Sequence, residues 1–166
     1  DPRRFGFFKI LKNEKELKNF FKRSGPEAIS SDFNLKYIQN KFLNKKKNIK
    51  NFLLDQNFVS GIGNIYANEI LFYCKINPFK IARNITYKEI NKLVKYSKLI
   101  LNLAIKYGGS SIRDFKNTKG VTGLFQKEFK VYGKENKNCE RKNCQGKISK
   151  FFISNRSTFF CNLCQK

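Results

Sequence analysis

Apolar positions recur at helical spacing in five stretches of the chain and alternate as in strands only near its two ends. Between Asn13 and Lys22, the residues Leu17, Phe20 and Phe21 gather on one side of a short amphipathic helix, and Ser24-Gly25-Pro26 ends it. Ser31-Asp32 is the expected cap of a second helix, which carries Leu35, Ile38 and Phe42 and runs into Lys45-Lys46-Lys47. A third, short helix is expected from Ile49 to Gln56. The turn-rich segment from Phe58 to Asn64 then leads into a fourth from about Ile65 to Tyr73. Two helices joined by a glycine-containing turn form a helix-hairpin unit. Thr86-Tyr87-Lys88-Glu89 has the form of a capping box. Ile90, Leu93, Val94, Ile100, Leu101 and Ala104 follow at helical spacing as far as Tyr107, where Gly108-Gly109 stop the helix. This longest helix is read as a packing element without chemistry.

The segments outside the helices differ in kind. Asp1 to Ile10 reads as a tight turn entering a strand, and its abrupt opening suggests a piece of something longer. Ser110 to Phe125 is rich in Gly, Ser, Thr and Asn, and a loop of that length is usually functional or disordered. After Val131-Tyr132-Gly133 the chain becomes a cysteine module. No internal repeat is present.

In that module, four residues separate Cys139 from Cys144, two separate Cys161 from Cys164, and sixteen lie between the pairs. Two such knuckles joined by a hairpin present four thiolates tetrahedrally, as a structural zinc ion requires. A pair of disulfides is the alternative. No apolar run approaches the ~20 residues that cross a bilayer and no leader pattern is seen, so the expectation is a cytoplasmic chain, a compartment that favours zinc. The hairpin strands are expected over 146–153 and 158–160, with Ser154-Asn155-Arg156-Ser157 as the turn. Arg156 would lie at the tip, either as a solvated turn residue or as a phosphate clamp held by a metal-rigidified finger. Cys74, in an apolar helix, reads as a buried residue and not a ligand.

Composition changes this picture in two ways. Thirty-five Lys and Arg stand against twelve Asp and Glu, a formal charge of +23, which points to a polyanion and first to nucleic acid. Lys, Asn, Ile and Phe are abundant together, as A/T-rich codons would produce, so the seven Arg at 3, 4, 23, 83, 113, 141 and 156 carry more information than any Lys. The chain also has no His, which excludes a His base, a His-containing triad and a His-ligated metal.

Four separated segments agree with one family: Asp1 to Gly6, Gly61 to Glu69, Gly108 to Phe115, and the four-cysteine finger with Arg156. Their order and spacing resemble the DNA-binding half of the bacterial formamidopyrimidine-DNA glycosylases. The resemblance implies a mainly α fold, a helix-two-turn-helix bundle with a C-terminal zinc-bound β-hairpin, without the family's N-terminal catalytic β-sandwich. It places the end of that missing domain at 1–12, the helical DNA-binding domain at 13–129 with a lesion-capping loop at 110–125, and the zinc finger at 130–166.

In that family a damaged base is flipped out of the duplex, an N-terminal proline amine attacks the sugar, and the Schiff base decays by β,δ-elimination. By resemblance, Arg3 fills the vacated space and Phe5 wedges between bases. Asn64, at a helix start, binds phosphate beside the lesion together with Arg156. Lys50 lines the lesion site, Lys45 and Lys46 belong to a basic DNA-contacting run, and Tyr132 contacts the backbone. Arg156 also matches a proton donor in δ-elimination, although an Arg serves more naturally as an electrostatic clamp. One zinc ion would be held by Cys139, Cys144, Cys161 and Cys164. Pro2 cannot replace the family's nucleophile, because its nitrogen lies in a peptide bond after Asp1. The chain alone is therefore expected to bind DNA without cleaving it.

The function implied is base-excision repair by a bifunctional glycosylase and AP lyase for oxidised purines in duplex DNA, acting as a monomer. The sister endonuclease VIII group, which prefers oxidised pyrimidines, is the nearest alternative. A non-catalytic zinc-ribbon protein that coats nucleic acid is an alternative of a different class.

Overall fold

The computed structural model describes residues 8–110 and 123–166. Among these, five helices form one body, followed by a two-stranded antiparallel hairpin: α1 (Glu14–Phe21), α2 (Leu35–Phe42), α3 (Ile49–Leu53), α4 (Asn64–Cys74), α5 (Tyr87–Lys106), β1 (Ile148–Ile153) and β2 (Arg156–Cys161). Among the described residues no helix is long and apolar enough to cross a membrane.

Asparagines open the first three helices. Asn13, Asn34 and Asn48 each accept a backbone N–H three residues on, in α1, α2 and α3, satisfying a donor that the helix itself cannot pair. The cap of α2 is thus Asn34, not the expected Ser31-Asp32. Phe33 is fully buried, and the extended backbone of Asn34 that delivers it to the core delays the helix. α3 ends at Leu53, short of Gln56. Asp55 turns the chain there, accepting the Asn57 N–H at 3.1 Å and pairing with Lys47 at 3.2 Å. α5 begins at the expected capping box, where Thr86 and Glu89 bond reciprocally.

α4 is buried on most of its surface, with α5 against one side and β2 against another. Below it, Phe33, Tyr37, Phe42, Phe52 and Phe58 pack ring on ring with centroids 5.3–6.1 Å apart. α1 contributes no buried residue; its apolar face, ending at Phe21, borders an open groove of about 810 Å³ shared with Tyr66, Leu101 and Ile105.

Of the turn and strand expected over Asp1 to Ile10, only 8–10 are described, and there no strand is formed: Phe8 and Ile10 are 90% and 77% exposed, and no neighbouring strand pairs with 8–10 among the described residues. An isolated extended segment has no ladder to satisfy its backbone. In the cysteine module the hairpin turn is tighter than expected. Ser154 and Asn155 both have positive φ, 48° and 58°, as a two-residue type I′ turn requires, so Arg156 becomes the first residue of β2 instead of a turn residue.

Candidate nucleic-acid interface

The start of α4 and the start of β2 meet. Gly63 is the N-cap of α4 and offers no side chain, which leaves the first turn of the helix without a capping acceptor. Asn64, one residue on, turns its side-chain amide to donate to the Ser157 carbonyl at 3.1 Å, and its Oδ1 is buried without a partner. Arg156, exposed immediately before Ser157, has no ion-pair partner among the described residues. A helix terminus without a capping side chain, next to the start of a strand that carries an exposed Arg, suits an anion.

Lys50 lies beneath this point, not on it. Its ammonium is fully buried and donates to the Ser157 carbonyl at 2.9 Å and the Thr158 hydroxyl at 2.7 Å. Burial, with a smaller push from the nearby Arg156 charge, brings its pKa down to about 8. The resemblance gives Lys50 a place lining the lesion site; in the structure its ammonium bonds the finger. Spacing along α3 could not show that β2 would cover it.

The remaining expected residues are distributed as follows. Lys45 and Lys46 are exposed in the turn after α2, which stops at Phe42, and the Lys45 carbonyl accepts the Arg83 N–H at 3.2 Å, bringing a third cation alongside. Tyr132 is half-buried, its ring 5.8 Å from Phe129 and 5.1 Å from Phe159, so it joins the helical core to the finger. Arg3, Phe5 and positions 111–122 of the capping loop lie outside the described residues. The loop's two ends are brought together: Leu124 and Phe125 donate to the carbonyls of Tyr107 and Gly109, and the Tyr66 and Ser110 hydroxyls are 3.3 Å apart.

Several residues that hold the finger in place have no sequence signature of their own. Asn68 accepts the Phe159 N–H at 2.7 Å. Glu69, 1% exposed, accepts three consecutive backbone N–H groups from Lys130, Val131 and Tyr132 at 2.8–3.0 Å. Burial pushes its carboxyl upward, and the three N–H groups work against that shift. Arg141 donates to the Phe72 carbonyl at 2.6 Å and stacks on its ring, while Gln165 bridges Cys161 to Ile76. The one available hint was a polar Asn-Glu pair inside an otherwise apolar helix.

The four cysteines of the module converge, with all four Sγ atoms within 4.8 Å of one another. The Cys139–Cys164 and Cys144–Cys161 sulfurs are 3.9 and 3.7 Å apart, far beyond a disulfide bond of ~2.05 Å and close to the edge of a tetrahedral thiolate site. As a free thiol Cys139 is pushed up to about 12 by burial, and a bound cation would favour the thiolate instead. The cluster can hold a metal ion.

Residues 24–116 match the formamidopyrimidine-DNA glycosylase H2TH domain. The chain belongs to the formamidopyrimidine-DNA glycosylase family. Curated formamidopyrimidine-DNA glycosylases from Zymomonas mobilis and a Wolbachia of Drosophila simulans are 43% and 44% identical over 100% and 99% of the chain. The chain spans 61% and 60% of their lengths. Among solved structures, a complex of the Lactococcus lactis member of the family with DNA containing an abasic site superposes over 100% of the chain with a TM-score of 0.90 at 38% identity, and the chain covers 60% of it. The Thermus thermophilus member gives 0.88 at 33% identity, over 99% of this chain and 62% of that one. The resemblance carried by four short segments thus extends over the full length of the chain.

Proposed function

We propose that this chain is the damaged-DNA-binding portion of a base-excision repair glycosylase, and that the whole protein excises oxidised purines and cleaves the resulting abasic site as a lyase. The observation that carries the reading is the convergence at Ser157. One carbonyl ties the start of α4, through Asn64, to the strand that begins with the exposed Arg156, so the helix N–H groups and that strand start come together. Two solved complexes of one relative support the partner: the Lactococcus lactis protein with abasic-site DNA and, as a G226P variant, with Fapy-dG DNA.

In this reading Asn64 and the first turn of α4 bind a phosphate beside the lesion, Arg156 clamps the same strand, and Lys45 and Lys46 hold the flanking backbone. Arg3 and Phe5 enter the duplex where the base leaves. A zinc ion at Cys139, Cys144, Cys161 and Cys164 would make the finger rigid enough to present Arg156 from a fixed position. The Lactococcus lactis protein has also been solved with DNA containing an oxidised pyrimidine, which keeps the pyrimidine reading in view.

Two measurements test this. The chain should bind duplex containing an abasic-site analogue more tightly than intact duplex, and equal affinity would favour a lesion-blind zinc ribbon. Full-length protein should excise 8-oxoguanine opposite cytosine faster than thymine glycol, and the reverse order would assign it to oxidised pyrimidines.

A further inference from the structure

We propose that Lys50 is a positioning residue for Arg156: its buried ammonium fixes the opening residues of β2 against α3, so that the Arg156 guanidinium is held beside the start of α4. The inference rests on the reading of that face as a phosphate site.

Among the described residues Lys50 is the one Lys or Arg that is fully buried, so its side chain presents no surface to a partner. It has no carboxylate partner among them. Its two bonds, at 2.9 and 2.7 Å, go to neutral acceptors on the two residues that follow Arg156. A buried cation without a counter-ion is unfavourable. An apolar side chain of similar length would fill the space without that cost, so what the ammonium adds is direction.

That direction is passed on. The Thr158 hydroxyl, accepting from Lys50, donates to the Arg156 carbonyl at 3.1 Å, while the Ser157 carbonyl receives Lys50 from α3 and Asn64 from α4 together. Two helices therefore grip adjacent residues at one end of β2. At the opposite end, β2 finishes at Cys161, one of the four clustered cysteines. A two-stranded hairpin anchored only at its cysteine end would be free to twist at the other.

A double-mutant cycle decides the matter. Lys50→Met should lower the affinity of the chain for a duplex carrying a tetrahydrofuran abasic analogue by about tenfold, with far-ultraviolet circular dichroism and resistance to metal chelation unchanged. In an Arg156→Ala background the same substitution should change affinity by less than about twofold, because a positioning residue has nothing left to position. An equal factor in both backgrounds, as direct contact with the lesion would give, overturns the proposal, and so does an unchanged affinity in the first.

Should Lys50→Met lose the metal, Thr158→Val takes its place in the cycle, with the same result supporting the proposal and the same results overturning it. The cycle is also run on intact duplex. A chain with no preference for the abasic duplex refutes the functional proposal, while the coupling of Lys50 to Arg156 is still read from intact-duplex affinity.

Discussion

The carboxylate of Glu69, in the middle of α4, accepts the backbone N–H of Tyr132 at 2.8 Å, across 63 positions of sequence. The same side chain takes the N–H groups of Lys130 and Val131, so the segment entering the cysteine module is tied to the helical body by one buried anion. Glu69→Gln keeps the shape but replaces an acceptor oxygen with an NH₂ group that faces backbone donors. Loss of charged hydrogen bonds of this kind costs about 2–3 kcal/mol. Urea unfolding followed by circular dichroism should show that loss, and a change under about 0.5 kcal/mol would mean the anion is not what joins the two parts.

Metal removal should act unevenly. The module has only a small cluster of its own, in which Val131, Ile148 and Phe159 share Phe72 with α4, whereas the helices have a separate and larger core. Chelation should therefore abolish amide-exchange protection across β1 and β2 and eliminate DNA binding, while most of the helical signal persists. Full loss of helicity on chelation would show that the two parts fold as one unit.

Arg156→Ala should weaken binding to abasic-site duplex by on the order of 1–3 kcal/mol and flatten the dependence of affinity on salt. Fluorescence anisotropy over a range of salt concentrations reads both. A wild-type salt slope in the variant would place Arg156 away from the phosphates.

Alkaline pH probes Lys50. Its folded pKa of about 8 lies below the ordinary lysine value of about 10.4. Between these values the unfolded chain keeps a proton that the folded chain releases, so the Lys50 contribution to stability rises as pH rises through that window. Lys50→Met removes this contribution. The stability of the wild type relative to the variant should therefore increase from about pH 8 to about pH 10, and a difference that stays flat or declines would contradict the depressed pKa.

Gly123 closes the base of the loop. A Cβ there would stand 2.2 Å from the Gly109 carbonyl oxygen and 2.7 Å from that of Gly108, both rigid backbone atoms. Gly123→Ala should push the two sides of the stem apart, at a cost of about 1–3 kcal/mol, and lower the melting temperature by several degrees. An unchanged melting temperature would show that the stem can open without penalty.

How much of this was legible in the chain depends on the range of the interactions. The capping box at Thr86 and Glu89, the period of α5 and the paired cysteines are local or of fixed spacing, and they could be read directly. Local signals failed where a distant contact outweighed them. Ser31 and Asp32 looked like a cap, but burying Phe33 moved the helix start to Asn34. Lys50 was assigned by resemblance to the lesion site, and nothing in its neighbouring residues showed that β2 would fold over it.

The sequence by itself determined the helical body, the four-cysteine module and the family, because periodicity, capping and cysteine spacing are written in neighbouring residues. Only the tertiary structure decided which polar side chains leave the solvent. Asn64, Asn68, Glu69 and Lys50 find their partners 61 to 108 positions away. A buried hydrogen bond depends on where two backbones meet, and nothing in the residue that donates or accepts it foretells that meeting.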